Sequence, residues 1–114
     1  MQHAQASRAY RAASAHRGVR VQEADVFRRV TGRLRAAQGG TPMDQARAIA
    51  DNTRLWQMVG DLLRDPENAL PLALRASIVS VGQALQREMR KAAPDFAFLI
   101  TVNENIAAGL SGAP

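Results

Sequence analysis

Two prolines only five residues apart, Pro66 and Pro71, interrupt the densest apolar pattern of this chain. Proline lacks an N–H group and its ring clashes with the preceding helical turn, so neither residue fits inside a helix. Apolar residues at helical spacing lead up to this interruption over residues 52–64 and resume at residue 72. The sequence therefore predicts two core helices joined by a fixed connection, residues 65–71, which sets the angle between them.

Further helices are predicted on both sides of this pair. Residues 21–38 carry one apolar stripe at helical spacing, and two glycines end that helix. The first core helix begins at Thr41-Pro42, because threonine caps a helix and proline fits its first position. The second extends to about Lys91, and Pro94 separates it from a last helix that opens near Asp95.

The first 18 residues are the least anchored part of the chain. Tyr10 is their one large apolar side chain, and short isolated helices rarely persist in water. We therefore expect a loosely docked or mobile N-terminal helix. The remaining helices predict an all-α fold, a single-domain bundle of four to five helices over residues 1–114, because a chain of this length supports one hydrophobic core.

The composition excludes several classes of protein. The chain has no cysteine, which rules out disulfides, zinc–thiolate sites and thiol catalysis. No apolar run follows the basic N-terminal residues, so a signal peptide is not expected. The longest apolar runs are only a few residues, far below the roughly 20 needed to cross a bilayer. We expect a cytoplasmic protein without membrane insertion.

An enzyme finds little support in the sequence. The two histidines, His3 and His16, lie in the least anchored segment. The acidic residues Asp61, Asp65 and Glu67 cluster near a helix end, but no histidine or dense carboxylate shell accompanies them in sequence. Capping and solvation explain that cluster better than metal binding. We therefore expect no catalytic residue, no cofactor and no metal site.

The charge of +5 is concentrated near the N-terminus. Residues 1–40 hold eight arginines against two acidic residues, a net charge of +6, whereas residues 41–114 carry a net charge of −1. Clustered arginines would give a salt-dependent affinity for RNA phosphates, but aromatic residues that could stack on bases are scarce here. A solvated basic face is the favoured interpretation, and nucleic-acid binding is not expected.

The amphipathic helices offer more apolar surface than a chain this short easily covers, which favours protein binding. A partner's amphipathic helix would lie in a groove lined by such residues. The alternative is that the same stripes form the core, most clearly at Trp56. The predicted partner contacts are Leu55, Met58, Leu62, Leu85 and Met89, with Arg54, Arg75 and Arg87 as a polar rim. The residues predicted to form the structural core are Trp56, Pro66, Asn68, Pro71, Leu74 and Ile78.

A longer pattern surrounds the two prolines. It consists of Asn52-x-x-Leu55-Trp56, then Asp61, then Pro66-x-Asn68-Ala69-Leu70-Pro71-x-x-Leu74-Arg75-Ala76-x-Ile78-x-Ser80-Val81. Two outlying pieces extend it, Ala9-Tyr10-x-Ala12-Ala13 and Val102-Asn103-x-x-Ile106-x-x-Gly109-Leu110. This pattern spans almost the whole chain and resembles the FlaF family of flagellar biosynthesis regulators. One departure is Gln83-Ala84, where relatives often carry a second Leu-Trp pair.

The resemblance implies a cytoplasmic, non-enzymatic protein that promotes flagellin synthesis and export. Members of the family are thought to act as flagellin-binding secretion chaperones, in functional opposition to FlbT, a post-transcriptional repressor of flagellin. A groove between the helices at 43–64 and 72–91, with the last helix at its edge, would then cover an amphipathic flagellin helix. The alternative is a post-transcriptional regulator that binds flagellin mRNA through an N-terminal cluster of Arg28, Arg29, Arg33 and Arg35.

Overall fold

The computed structural model describes residues 24–110, and within that range the chain forms four α-helices and no strand. Helix α1 occupies residues 24–37, α2 spans Pro42–Arg64, α3 spans Leu72–Met89 and α4 spans Phe96–Leu110. The all-α prediction is confirmed. The predicted N-terminal helix with Tyr10 lies outside the described residues. No helix within residues 24–110 is long and apolar enough to cross a membrane.

The boundaries of α2 follow from local hydrogen bonds. The Thr41 hydroxyl accepts the N–H of Asp44 at 3.1 Å, and Pro42 takes the first helical position, as the sequence predicts. At the other end, Asn68 Nδ2 donates to the Leu62 carbonyl at 2.9 Å and so satisfies a carbonyl of the last turn. These side chains define where the helix starts and stops.

Residues 65–71 are held by hydrogen bonds of their own. Asp65 Oδ1 accepts the N–H of Glu67, and Asn68 Oδ1 accepts the N–H of Leu70, both at 2.9 Å. Such side-chain turns fix the backbone without burying it. Pro66 and Pro71 are exposed and Asn68 is half-buried, so the two prolines stabilise the connection but do not belong to the core. The prediction that the prolines are buried structural residues is wrong in that respect.

The core lies where α1, α4 and the C-terminal half of α3 meet α2. Phe27 of α1 and Trp56 of α2 pack edge to face, with their ring centroids 5.8 Å apart. The predicted stripe of α1 is buried as expected, because its residues recur at helical spacing on one face. The core cluster consists of Phe27, Val30, Leu34, Ala37, Ala48, Leu55, Trp56, Leu85, Met89, Leu99, Ile100 and Ala107.

Three helices are joined by a buried chain of hydrogen bonds. Trp56 Nε1 donates to Asn103 Oδ1 at 2.9 Å, and Asn103 Nδ2 donates to Asn52 Oδ1 at 2.7 Å. Asn52 Nδ2 then lies 3.3 Å from the Met89 sulfur, which is a weak acceptor. Both asparagines are fully buried, so their pairing satisfies polar groups that would otherwise destabilise the core.

The first turns of α3 extend beyond this core. The buried residues of α3, Leu85 and Met89, both lie in its C-terminal half. Near its start, Leu72 is 74% exposed and Leu74 is 46% exposed. The prediction that Leu74 is a core residue is therefore wrong. Helix α4 meets α2 at Asn52 and Trp56, which leaves the opposite end of the α2–α3 pair less covered.

A glutamate organises the turn between α3 and α4. Glu88 accepts a hydrogen bond from Lys91 Nζ and another from the backbone N–H of Asp95, both at 3.0 Å. Asp95 in turn accepts the N–H of Phe98 at 3.1 Å and thereby caps α4. The hydrogen bond from Lys91, followed by that from the Asp95 N–H, holds the pKa of Glu88 below its ordinary value.

Substituting one buried asparagine should destabilise the fold more than the loss of a single hydrogen bond suggests. Asn103→Leu leaves the indole N–H of Trp56 and Oδ1 of Asn52 without partners, at a cost of about 2 kcal/mol or more. In the double variant Asn52→Leu/Asn103→Leu the loss should be clearly smaller than the sum of the two single losses, since the amides are each other's partners. Urea unfolding of the four proteins measures this, and strictly additive losses would contradict it.

The Glu88 carboxylate should make stability depend on pH. A carboxylate whose pKa is lowered by folding stabilises the native state above its unfolded pKa and loses that effect as the pH falls. Glu88→Gln should therefore melt below the wild type at pH 7, and the gap should close below about pH 4. Melting temperatures from pH 3 to pH 8 test this. Glu67→Gln is the control, because no described hydrogen bond is accepted by that carboxylate; a gap independent of pH would refute the expectation.

Candidate protein-binding groove

A groove of about 770 Å³ runs between α2 and α3 on the outer side of the helix pair. Its floor is apolar and is formed where Trp56 and Leu63 of α2 face Ile78 of α3. Its edges are polar and carry glutamine, aspartate and arginine side chains. The lining residues are Trp56, Gln57, Val59, Gly60, Asp61, Leu63, Arg64, Ile78, Val79, Gly82, Gln83, Gln86, Arg87 and Arg90.

Two glycines shape this groove, one on each helix. A Cβ atom on Gly82 would lie 3.2 Å from Cε3 of Trp56, so glycine allows α3 to pack closely against the indole ring. A Cβ atom on Gly60 would have the guanidinium of Arg64 as its nearest neighbour, in ordinary van der Waals contact at 3.7 Å. Gly60 therefore tolerates a Cβ atom in the groove wall, whereas Gly82 permits a close helix contact.

The charges on the two edges differ. On α2, Asp61 and Arg64 form an ion pair with each other and so cancel. Arg87 of α3 and Arg90, which follows the last residue of α3, have no acidic partner within salt-bridge distance among residues 24–110, and both side chains are exposed. The groove therefore has an apolar floor and one edge with uncompensated positive charge.

None of the five predicted contact residues lines the groove. Leu55, Leu85 and Met89 are buried in the core, which is the alternative that the sequence left open. Met58 and Leu62 are half-buried, and neither lines the groove. Met58 precedes Gly60 by two residues, which places it about 160° around the helix. Binding of a partner by these five residues stays a prediction.

Of the three arginines predicted as a polar rim, one lies on the groove and two do not. Arg54 is exposed and pairs with Asp51, and Arg75 is half-buried with an Nε atom that has no hydrogen-bond partner. Arg87 lies on the groove edge, as predicted. Trp56 and Ile78, predicted as structural residues, form part of the groove floor.

Sequence reasoning missed the two groove glycines and the two buried asparagines. None of these residues adds to an apolar stripe, so hydrophobic periodicity does not detect them. A signal was present, because Asn52 interrupts the apolar face of α2 and Asn103 interrupts that of α4. A polar amide at the centre of an apolar face predicts a buried hydrogen bond.

The predicted RNA-binding cluster is mostly engaged within the protein. Arg28 pairs with Asp25 at 3.0 Å, Arg33 with Asp51 at 3.2 Å, and Arg35 with Glu104. Of the four arginines only Arg29 has no acidic partner among the described residues. Arg33 also borders a smaller depression of about 470 Å³ between α1 and α2. In the described part of the chain, no three acidic or histidine side chains are grouped so that they could hold a metal ion.

Comparison with known proteins gives one match. The model of a family described as "Flagellar protein FlaF" matches residues 6–110, which is nearly the whole chain. No curated protein matches significantly. No solved structure matches significantly either.

Proposed function

Because the chain belongs to the FlaF family of flagellar proteins, we propose that it is a cytoplasmic flagellin-binding chaperone and regulator. In this role it promotes flagellin synthesis and export during assembly of the flagellum. The function is one of binding and not of catalysis. A functional link to FlbT belongs to the same proposal, since both proteins would act on the supply of flagellin.

The observation that supports this proposal most directly is the groove between α2 and α3. Flagellin's terminal segments are amphipathic helices that assemble only in the filament, so their apolar faces need cover beforehand. A groove with an apolar floor and polar edges is the surface that an amphipathic helix recognises. Each large apolar side chain that the partner buries there contributes roughly 1.5–3 kcal/mol to the complex.

The groove is also accessible without rearrangement of the core. Its lining includes Trp56, whose indole N–H is already bound to Asn103 of α4 in the core. A partner helix could therefore dock on a surface that is already formed, which limits the entropic cost of binding. The mRNA alternative has less support, because three of its four arginines pair with acidic residues of the chain.

Filling the groove at Gly60 should weaken flagellin binding without weakening the fold. In Gly60→Leu the new Cβ atom meets the Arg64 guanidinium at 3.7 Å, an ordinary van der Waals contact, and leucine favours helix by up to about 1 kcal/mol over glycine. The melting temperature should stay equal or rise, while the affinity for purified flagellin monomer falls by about 10-fold or more, equivalent to some 1.4 kcal/mol. Size-exclusion co-elution and titration calorimetry measure the affinity.

The matched control is Gly32→Leu on α1. A Cβ atom at Gly32 has nothing within 4 Å, so this variant gains the same helix propensity but leaves the groove unchanged. It should bind flagellin like the wild type. If Gly60→Leu binds as well as Gly32→Leu, the groove is not the binding site. If the wild type itself fails to co-elute with flagellin at micromolar concentration, the chaperone proposal is wrong.

A further inference from the structure

The α3 edge of the groove carries charge that the protein does not neutralise. Arg87 and Arg90 are one helical turn apart, both line the groove, and no acid of residues 24–110 pairs with either. Other ion pairs of the described chain engage arginines one turn from an acid, such as Arg64 with Asp61. The two arginines at the C-terminal end of α3 are thus free to bind groups that belong to another molecule.

The rest of the groove wall adds no competing charge. Gln83 and Gln86, the other polar residues of the α3 edge, are neutral. On the α2 edge Asp61 is neutralised by Arg64. The unbalanced charge of the groove is therefore positive and lies at the end formed by the last turns of α3.

We propose that this groove selects an amphipathic helix whose polar border is acidic, an inference that rests on the proposed function and specifies its partner. The apolar face of that helix lies over Val59, Ile78 and Val79, the apolar lining residues that remain exposed or half-buried. Two carboxylates, three or four residues apart on one side of the partner helix, meet Arg87 and Arg90. That spacing places them one turn apart, which matches the two arginines.

The charge then contributes selectivity in addition to affinity. Arginine binds a carboxylate through paired, charge-assisted hydrogen bonds that also define orientation. A basic amphipathic helix with the same apolar face would place like charges beside Arg87 and Arg90 and be rejected. Because the edge is open to solvent, the preference should weaken as added salt screens the charges.

The effect of Arg87 and Arg90 on the stability of α3 must be distinguished from their role in selecting a partner. Basic residues near the C-terminus of a helix stabilise it through the helix dipole. If that were their whole contribution, their removal would lower the stability of the chain and leave its choice among partners unchanged. A test must therefore measure preference between two ligands in addition to the strength of binding.

Two synthetic peptides provide this test with the full chain. Both are helical, about 18 residues long or five turns, and share one alanine–leucine face. One has glutamates bordering that face and the other has lysines. By fluorescence anisotropy in about 50 mM NaCl, the glutamate peptide should bind roughly 10-fold more tightly than the lysine peptide, and the ratio should fall in about 300 mM NaCl.

The variant Arg87→Gln/Arg90→Gln should lose most of this preference. Arg29→Gln/Arg47→Gln is the matched control, because it removes the same charge from exposed arginines that lie outside the groove. It should keep the preference. Thermal melts of both variants report any effect on folding, and the salt dependence of the wild type tests the inference even if the α3 variant is unstable.

Three results would overturn the inference. The first is that the wild type binds the two peptides equally. The second is that Arg87→Gln/Arg90→Gln still prefers the glutamate peptide. The third is that the control variant loses this preference to the same extent. A parallel titration with flagellin monomer separates this inference from the proposed function. Flagellin binding that is indifferent to Arg87→Gln/Arg90→Gln refutes the charge selection alone, whereas a chain that prefers the acidic peptide but does not bind flagellin refutes the chaperone role alone.

Discussion

The buried contact between Trp56 and Asn103 is the interaction on which the arrangement of the helices depends. An indole N–H can only donate, so it fixes the orientation of the Asn103 amide, which then donates to Asn52. Asn52 in turn donates to the Met89 sulfur, so this chain of hydrogen bonds connects α2 with both α4 and α3. A displaced helix would leave fully buried amides unpaired, which makes this packing specific as well as stable.

The groove follows from the same tryptophan. One side of Trp56 meets Phe27 and Asn103 in the core, while the ring edge at Cε3 faces Gly82 across the α2–α3 contact. Phe27 of α1 and Asn103 of α4 contact Trp56 in the core, and the groove lies between α2 and α3. The fold thus supplies a rigid apolar floor whose position is set by the core, which is what the proposed capture of an amphipathic helix requires.

Much of the fold could be predicted from local sequence chemistry. Thr41-Pro42 and the prolines at 66 and 71 mark helix ends through their own backbone limits, and they do so without reference to the rest of the protein. The position of the groove could not be predicted in this way. An apolar stripe shows which residues avoid water, but it does not show which flank a neighbouring helix covers. For that reason the sequence left Leu55 open between a partner contact and the core.

The central claim is that a flagellin helix lies in the groove between α2 and α3. Hydrogen exchange of the full chain, with and without flagellin monomer, tests it most directly, because amides beneath a docked partner exchange more slowly. The account predicts slower exchange in residues 56–64 and 78–90 and unchanged exchange in α1. The claim would be contradicted if a chain saturated with flagellin showed unaltered exchange in those two segments. It would also be contradicted if exchange slowed only in α1.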